Sequence, residues 1–100
     1  MNMQQMMMQA QKMQRELTKA MNELDNKEFE ISKGGAVKVT MLGSHEVKSI
    51  SIDEDAFDKE NKEMVEDMLV MAINELVETI EAERNKINER ITGRSGGFPF

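Results

Sequence analysis

One hundred residues with no cysteine, no tryptophan and no tyrosine, and a formal net charge of −6, bound the chain to one domain (1–100) with a modest core that buries about 65% of its unfolded surface. The lack of cysteine excludes disulfides, thiolate metal sites and cysteine nucleophiles and fits a reducing cytoplasm. The apolar run through Leu69–Ile73 falls far short of the ~20 residues that cross a bilayer, and the start lacks the basic-then-apolar order of a secretory signal, so no membrane partner is expected.

The first predicted element is a helix over 2–24. Met3, Met6, Ala10, Met13, Leu17, Ala20 and Leu24 advance by alternating steps of three and four, a heptad seam. Met7 and Met21 widen it, and neither Gly nor Pro interrupts it. At 1.5 Å per residue this helix measures about 33 Å, and Asp25-Asn26-Lys27 ends it.

Next comes a three-stranded antiparallel meander over 28–52. Phe29 and Ile31 alternate with Glu28, Glu30 and Ser32; Val37, Val39 and Met41 alternate with Lys38, Thr40 and Leu42; Val47 opens a third strand in which Ile50 and Ile52 alternate with Ser49 and Ser51. A period of two is that of a strand with one buried and one wet face. The pairs Gly34-Gly35 and Gly43-Ser44 are expected to supply the positive φ of tight hairpin turns.

A second, longer helix is predicted over 58–91. Asp53-Glu54-Asp55 caps a short turn containing Phe57, and Asp58 is placed as the cap of the main helix. Its apolar face runs from Met64 and Val65 to Ile87 and Ile91, with acids crowding the first half and Arg and Lys the last turns, as the helix dipole prefers. Thr92-Gly93 supplies the stop, and 93–100 is expected as a mobile tail.

Such a helix is roughly 51 Å long, whereas a compact domain of this size has a radius of gyration of about 13 Å. Its own chain cannot cover it, and the heptad seam also asks for a partner. Both observations predict an oligomer, with a two-fold homodimer as the commonest closed form. The residues expected at its interface are Met6, Met13 and Leu17 of the seam and Val37, Val39 and Met41 of the central strand.

The order of these pieces carries a resemblance. A Met/Gln-rich helix, Gly-Gly, the pattern V-K-V-x-x-x-G-x-x-E-V-x-x-I-x-I-D (Val37–Asp53), then E-x-M-V-E-D-M-L-V-M-A-I-N-E (Glu63–Glu75) and a Gly/Phe/Pro tail together resemble the YbaB/EbfC family of bacterial nucleoid-associated proteins. The resemblance covers nearly the whole chain. It implies an α+β fold assembled as an intertwined, tweezer-like homodimer in the cytoplasm and nucleoid. The implied function is binding of double-stranded DNA with little sequence specificity, to organise the nucleoid or regulate gene expression. It implies no cofactor and no catalytic residues.

The residues themselves also argue against catalysis. The Met-rich start has the thioethers of a soft-metal site, but its spacing suits a hydrophobic seam and no His or Cys joins it. His45, the single histidine, is expected as a solvated turn residue. The acids of 53–67 lack the Gly and terminal Glu of a calcium loop, and Gly34-Gly35 lies between strands rather than before a helix, so it is no phosphate loop. No enzyme activity and no metal site is expected.

Charge placement selects the candidate DNA-binding residues. Residues 53–83 hold twelve acids against Lys59 and Lys62, whereas 84–100 hold Arg84, Lys86, Arg90 and Arg94 against Glu89. In the first helix, Lys12, Arg15 and Lys19 share one face away from the Met seam. These seven basic residues, doubled by a dimer, are expected to form a phosphate clamp. With no helix-turn-helix or zinc-finger pattern and no aromatic among them, the clamp reads little sequence. The alternative is a dimeric protein-binding scaffold, with recombination and repair proteins as the partner class the resemblance implies; the acidic net charge, which repels DNA at long range, speaks for it.

Overall fold

The computed structural model describes residues 2–93. Helix α1 (Met3–Asn26) is followed by strands β1 (Glu28–Lys33), β2 (Val37–Leu42) and β3 (Val47–Ile52), two single-turn 3-10 segments (Glu54–Ala56 and Lys59–Asn61) and helix α2 (Lys62–Thr92). The strands form one antiparallel sheet in the order β1-β2-β3, so the expected helix–meander–helix architecture is the one observed. The molecule measures 69 × 21 × 17 Å with a radius of gyration of 19.1 Å, far from the roughly 13 Å of a compact chain. Of the tail expected over 93–100, residues 94–100, Arg94 among them, lie outside the described residues.

Helix α1 starts where Asn2 accepts a hydrogen bond from the Gln5 amide at 2.8 Å, satisfying a donor the helix leaves unpaired. It runs to Asn26, two residues past the expected end, and only Ala20 and Leu24 are buried. The N-terminal part of the heptad seam is bare, with Met3 77% and Met6 58% exposed.

The sheet's register sets Ile31, Val39 and Ile50 side by side, and likewise Phe29, Met41 and Val47. An irregularity between Thr40 and Met41 absorbs the offset between the alternations of β2 and β3. Helix α2 crosses this face over β1 and β2, with few contacts to β3. Val39 and Met41 pack there against Ala72, Leu76 and Ile80, and a second cluster joins Ala36 and Val37 to Ala56 and Val65. This corrects one expectation. Val37, Val39 and Met41 are 3%, 0% and 1% exposed because their own α2 covers them, so their side chains are not available to a second chain. Thr40, expected on the wet face, is also buried, in the central strand between Glu30 and Ser49.

The two turns use glycine differently. Gly34 and Gly35 adopt φ of 57° and 66°, as the first hairpin requires. In the second turn the positive φ falls on His45, at 74°, and not on Gly43. Gly43 is there for space, since a Cβ would lie 1.8 Å from the Leu24 carbonyl oxygen. Its amide donates to the Lys27 carbonyl at 2.9 Å, and the Ser44 amide donates to the Asp25 carbonyl, so the turn is bonded onto the end of α1.

Helix α2 begins later than expected. Asp58 caps the short Lys59–Asn61 turn by accepting from the Glu60 amide, and the α-helical bonds start only at Lys62. Gly93, at φ 71°, ends the helix, its amide donating to Glu89 at 2.8 Å.

Candidate nucleic-acid interface

The two helices meet at their C-terminal parts and run antiparallel. Arg84 lies against Met21 and Asp25, while Arg90 and Ile91 share a groove with Glu16, Lys19, Ala20 and Glu23. From this crossing, α1 continues toward Met3 and α2 continues back toward Lys62, each for roughly 33 Å at 1.5 Å per residue. The two stretches account for the 69 Å long axis. The tip of α1 and the acid-rich start of α2 therefore occupy opposite ends of the molecule. The net charge of −6 is thus strongly polarised, and screening over a Debye length of about 8–10 Å separates its two ends electrostatically.

Lys12, Arg15 and Lys19 fall within about 60° of arc on α1, on the side opposite Met6, Met13 and Leu17. All three are exposed, and among the described residues none forms an ion pair. Arg90, exposed at the end of α2, is likewise unpaired and joins Lys19 in the groove between the helices. Glu16 and Glu23 line the same groove.

Cations elsewhere are mostly occupied. Lys33 meets Glu75 at 2.6 Å, Lys38 meets Glu30, Lys48 meets Glu28 at 3.0 Å, and Lys62 meets Glu66. Lys27 sits over the Phe29 ring at 5.1 Å. Lys59, beside the start of α2, is the exception. The unpaired positive charge is therefore concentrated on one arm, built by α1 and the last turns of α2.

Two of the seven expected contacts are engaged within the chain. The Arg84 guanidinium donates to Asp25 Oδ1 at 3.2 Å and to the Gly43 carbonyl at 3.0 Å, and approaches Met21 Sδ at 3.5 Å. That set ties α1, the β2–β3 turn and α2 together. Lys86 lies 3.9 Å from Glu83 and stays largely exposed. Arg94 lies outside the described residues. His45, expected as a solvated turn residue, is exposed in the β2–β3 turn, and its Nε2 also lies 3.0 Å from Glu81 Oε1. Among the described residues, no three His, Cys, Asp or Glu side chains converge on a common point, and no helix is long and apolar enough to cross a membrane.

The arm can do one thing chemically, which is to present a row of guanidinium and ammonium groups to a polyanion. Comparison with known proteins gives that row its context. The model of the YbaB/EbfC DNA-binding family matches residues 1–95. The chain belongs to the YbaB/EbfC family. It is 38% identical over 99 residues to a nucleoid-associated protein of Ruminiclostridium cellulolyticum, covering 98% of this chain and 86% of that protein. A nucleoid-associated protein of Mycoplasmopsis pulmonis is 41% identical over 100 residues, covering 100% of this chain and 97% of its own. The fold of this YbaB/EbfC chain matches the crystal structure of an uncharacterized protein from Helicobacter pylori with a TM-score of 0.77 at 23% identity, over 93% of this chain and 99% of that one. The family is one of DNA-binding proteins and not of enzymes.

Proposed function

We propose that this chain binds duplex DNA as a homodimer with little sequence specificity, and thereby helps organise the nucleoid or regulate gene expression in the cytoplasm. The observation that carries the reading is the exposed, unpaired row Lys12, Arg15 and Lys19, extended by Arg90, at the end of the molecule opposite the acid-rich start of α2. Family membership and the names of the relatives, nucleoid-associated proteins, support the same ligand. Phosphate contacts from long flexible side chains fix position on the duplex and carry no base information, which is the basis of the low specificity.

The dimer is supported by surface that one chain leaves open. On β3, Val47 and Ile50 are 41% and 48% exposed although they lie on the same face as buried Val39 and Met41. Near the β3 end, Ile52, Ala56, Phe57, Val65 and Leu69 line an apolar recess of about 430 Å³. A second chain seated there would double the basic arm.

Fluorescence anisotropy of a short labelled duplex at two salt concentrations tests the reading. If a dimer neutralises about 4–8 phosphates, log K falls with log salt at a slope of about −4 to −7, and the triple variant Lys12→Gln, Arg15→Gln, Lys19→Gln loses most of the binding. The scaffold reading, favoured by the bare Met3, Met6 and Met13 of α1, predicts the reverse: little DNA binding at low salt, and a recombination or repair partner whose docking survives high salt.

A further inference from the structure

Helix α1 carries one methionine that its apolar stripe does not account for. At about 100° per residue, Met3, Met6, Met7, Met13 and Met21 fall together on the stripe that Ala20 and Leu24 continue into the core. Met8 falls about 160° from the middle of that stripe. It lies instead inside the arc of roughly 60° that holds Lys12, Arg15 and Lys19. It comes four positions before Lys12 and seven before Arg15, hence about 6 and 10 Å nearer the free tip of the helix. Its side chain is 62% exposed and belongs to neither core cluster. Nothing in the fold is gained by an apolar side chain held in water at the head of a row of cations.

The surroundings of Met8 define what it can meet. Every residue from Asn2 to Glu16 is exposed, so this part of α1 is a helix open on all sides, about 10–12 Å across. The major groove of duplex DNA is about 12 Å wide and admits such a helix, whereas the minor groove, about 6 Å wide, does not. Lys12 and Arg15 flank Met8 on either side of the arc. With these two cations drawn to the phosphates along the groove, Met8 between them faces the base edges. The apolar group that base edges present there is the C5 methyl of thymine.

We propose that Met8 is a base contact of the basic arm, packing its thioether on thymine methyl groups in the major groove between the phosphate contacts of Lys12 and Arg15. The inference rests on the duplex-DNA reading and adds to it a contact of different chemistry. Covering one methyl group changes an affinity by about fourfold, so Met8 favours thymine without fixing a sequence, and specificity stays low. Its unbranched, adaptable side chain suits thymines offset along the groove. A phosphate contact alters affinity and salt slope together, whereas Met8 displaces no counterion and alters affinity alone. The contact is on the side of α1 away from Met6, Met13 and Leu17, so it does not depend on what covers the stripe.

The test compares two labelled duplexes by fluorescence anisotropy over a range of salt. One is an alternating A·T duplex, in which thymine methyls recur along the whole groove; the other carries deoxyuridine for every thymidine and so lacks only those methyls. The full chain is expected to bind the deoxyuridine duplex at least about fourfold more weakly, with the same salt slope because the phosphates are unchanged. Met8→Gln, a change between two good helix formers at an exposed position, should bind both duplexes equally and keep that slope. Met8→Leu should restore the preference for thymidine, and Met3→Gln, on the stripe, should retain it. Equal binding of both duplexes by the unaltered chain, at a steep salt slope, would overturn the Met8 contact while leaving the phosphate row in place. A Met8→Gln variant that still prefers thymidine would overturn it too, by placing the methyl contact elsewhere. No binding of either duplex at low salt would overturn the duplex-DNA reading itself, and the Met8 contact with it.

Discussion

Arg84 Nη2 stands 3.2 Å from Asp25 Oδ1, a contact across 59 positions of sequence, and the same nitrogen donates to the Gly43 carbonyl. The pair is half-buried, with side-chain exposures of 27% and 43%. It fixes the angle at which α1 leaves the sheet, because Asp25 is in the last turn of α1 and Gly43 is bonded to Lys27 just beyond it. Fold stability and the direction of the basic arm therefore share one guanidinium.

Replacing it should cost stability. Arg84→Ala removes two charge-assisted donors, and after allowance for solvent screening the expected loss is about 1–2 kcal/mol. For a domain of this size that lowers Tm by roughly 5–15 °C, readable by circular dichroism. Lys86→Ala, from an exposed cation 3.9 Å from Glu83, should change stability by less than about 0.5 kcal/mol. Equal effects from the two would show that the Asp25 contact contributes nothing.

Gly43→Ala should be the harsher of two glycine substitutions. Its Cβ would fall 1.8 Å from the Leu24 carbonyl oxygen, and that carbonyl, held at the end of α1 by the Lys27 amide at 3.0 Å, cannot step aside. A loss of about 3 kcal/mol is expected in urea unfolding. At Gly35 nothing lies within 4 Å, so Gly35→Ala meets only the strain of φ 66°, about 1–2 kcal/mol.

Salt titrations should separate free cations from occupied ones. Arg90→Gln and Lys19→Gln, at unpaired positions, should each lower the salt slope of DNA binding by roughly 1 per chain. Lys48→Gln, from a lysine held 3.0 Å from Glu28 on the sheet, should leave the slope unchanged. If Lys48→Gln weakened binding as much as Lys19→Gln, the interface would lie on the sheet and not on the arm.

Some of this was readable in the sequence and some was not, for identifiable reasons. Periodicity located the helices and strands because each buries one face, and the Val37–Met41 alternation marks that face correctly. It did not say which element covers it: alternation is the same whether the cover is α2 or a second chain. Asp58 was a sound cap, but the backbone first makes a 3-10 turn, a choice of geometry that a capping residue does not encode. Gly43 carries no sign of whether its missing Cβ serves a positive φ or a close approach; only Leu24, nineteen positions away in sequence, decides it. Charge counting placed Lys12, Arg15, Lys19 and Arg90 on exposed helix faces. It could not separate Arg84 from them, because Asp25 and the Gly43 carbonyl are remote in sequence.

The open face of β3 gives the last prediction. Val47 and Ile50 are the outer members of two rows whose inner members, Met41 and Val39, are 1% and 0% exposed, so the core ends abruptly where α2 ends its reach. If a second chain completes these rows, placing a carboxylate in them must oppose association, since an unpaired charge at a closed apolar contact is costly. Ile50→Glu is therefore expected to halve the mass seen by light scattering while leaving the circular dichroism spectrum intact, because a 48% exposed position tolerates the charge in a lone chain. DNA affinity should fall with it, since one chain offers half the cations and the counterion-release slope scales with their number. A dimeric Ile50→Glu variant would remove β3 from the interface, and a variant that is monomeric yet retains the full salt slope would uncouple dimerisation from DNA binding.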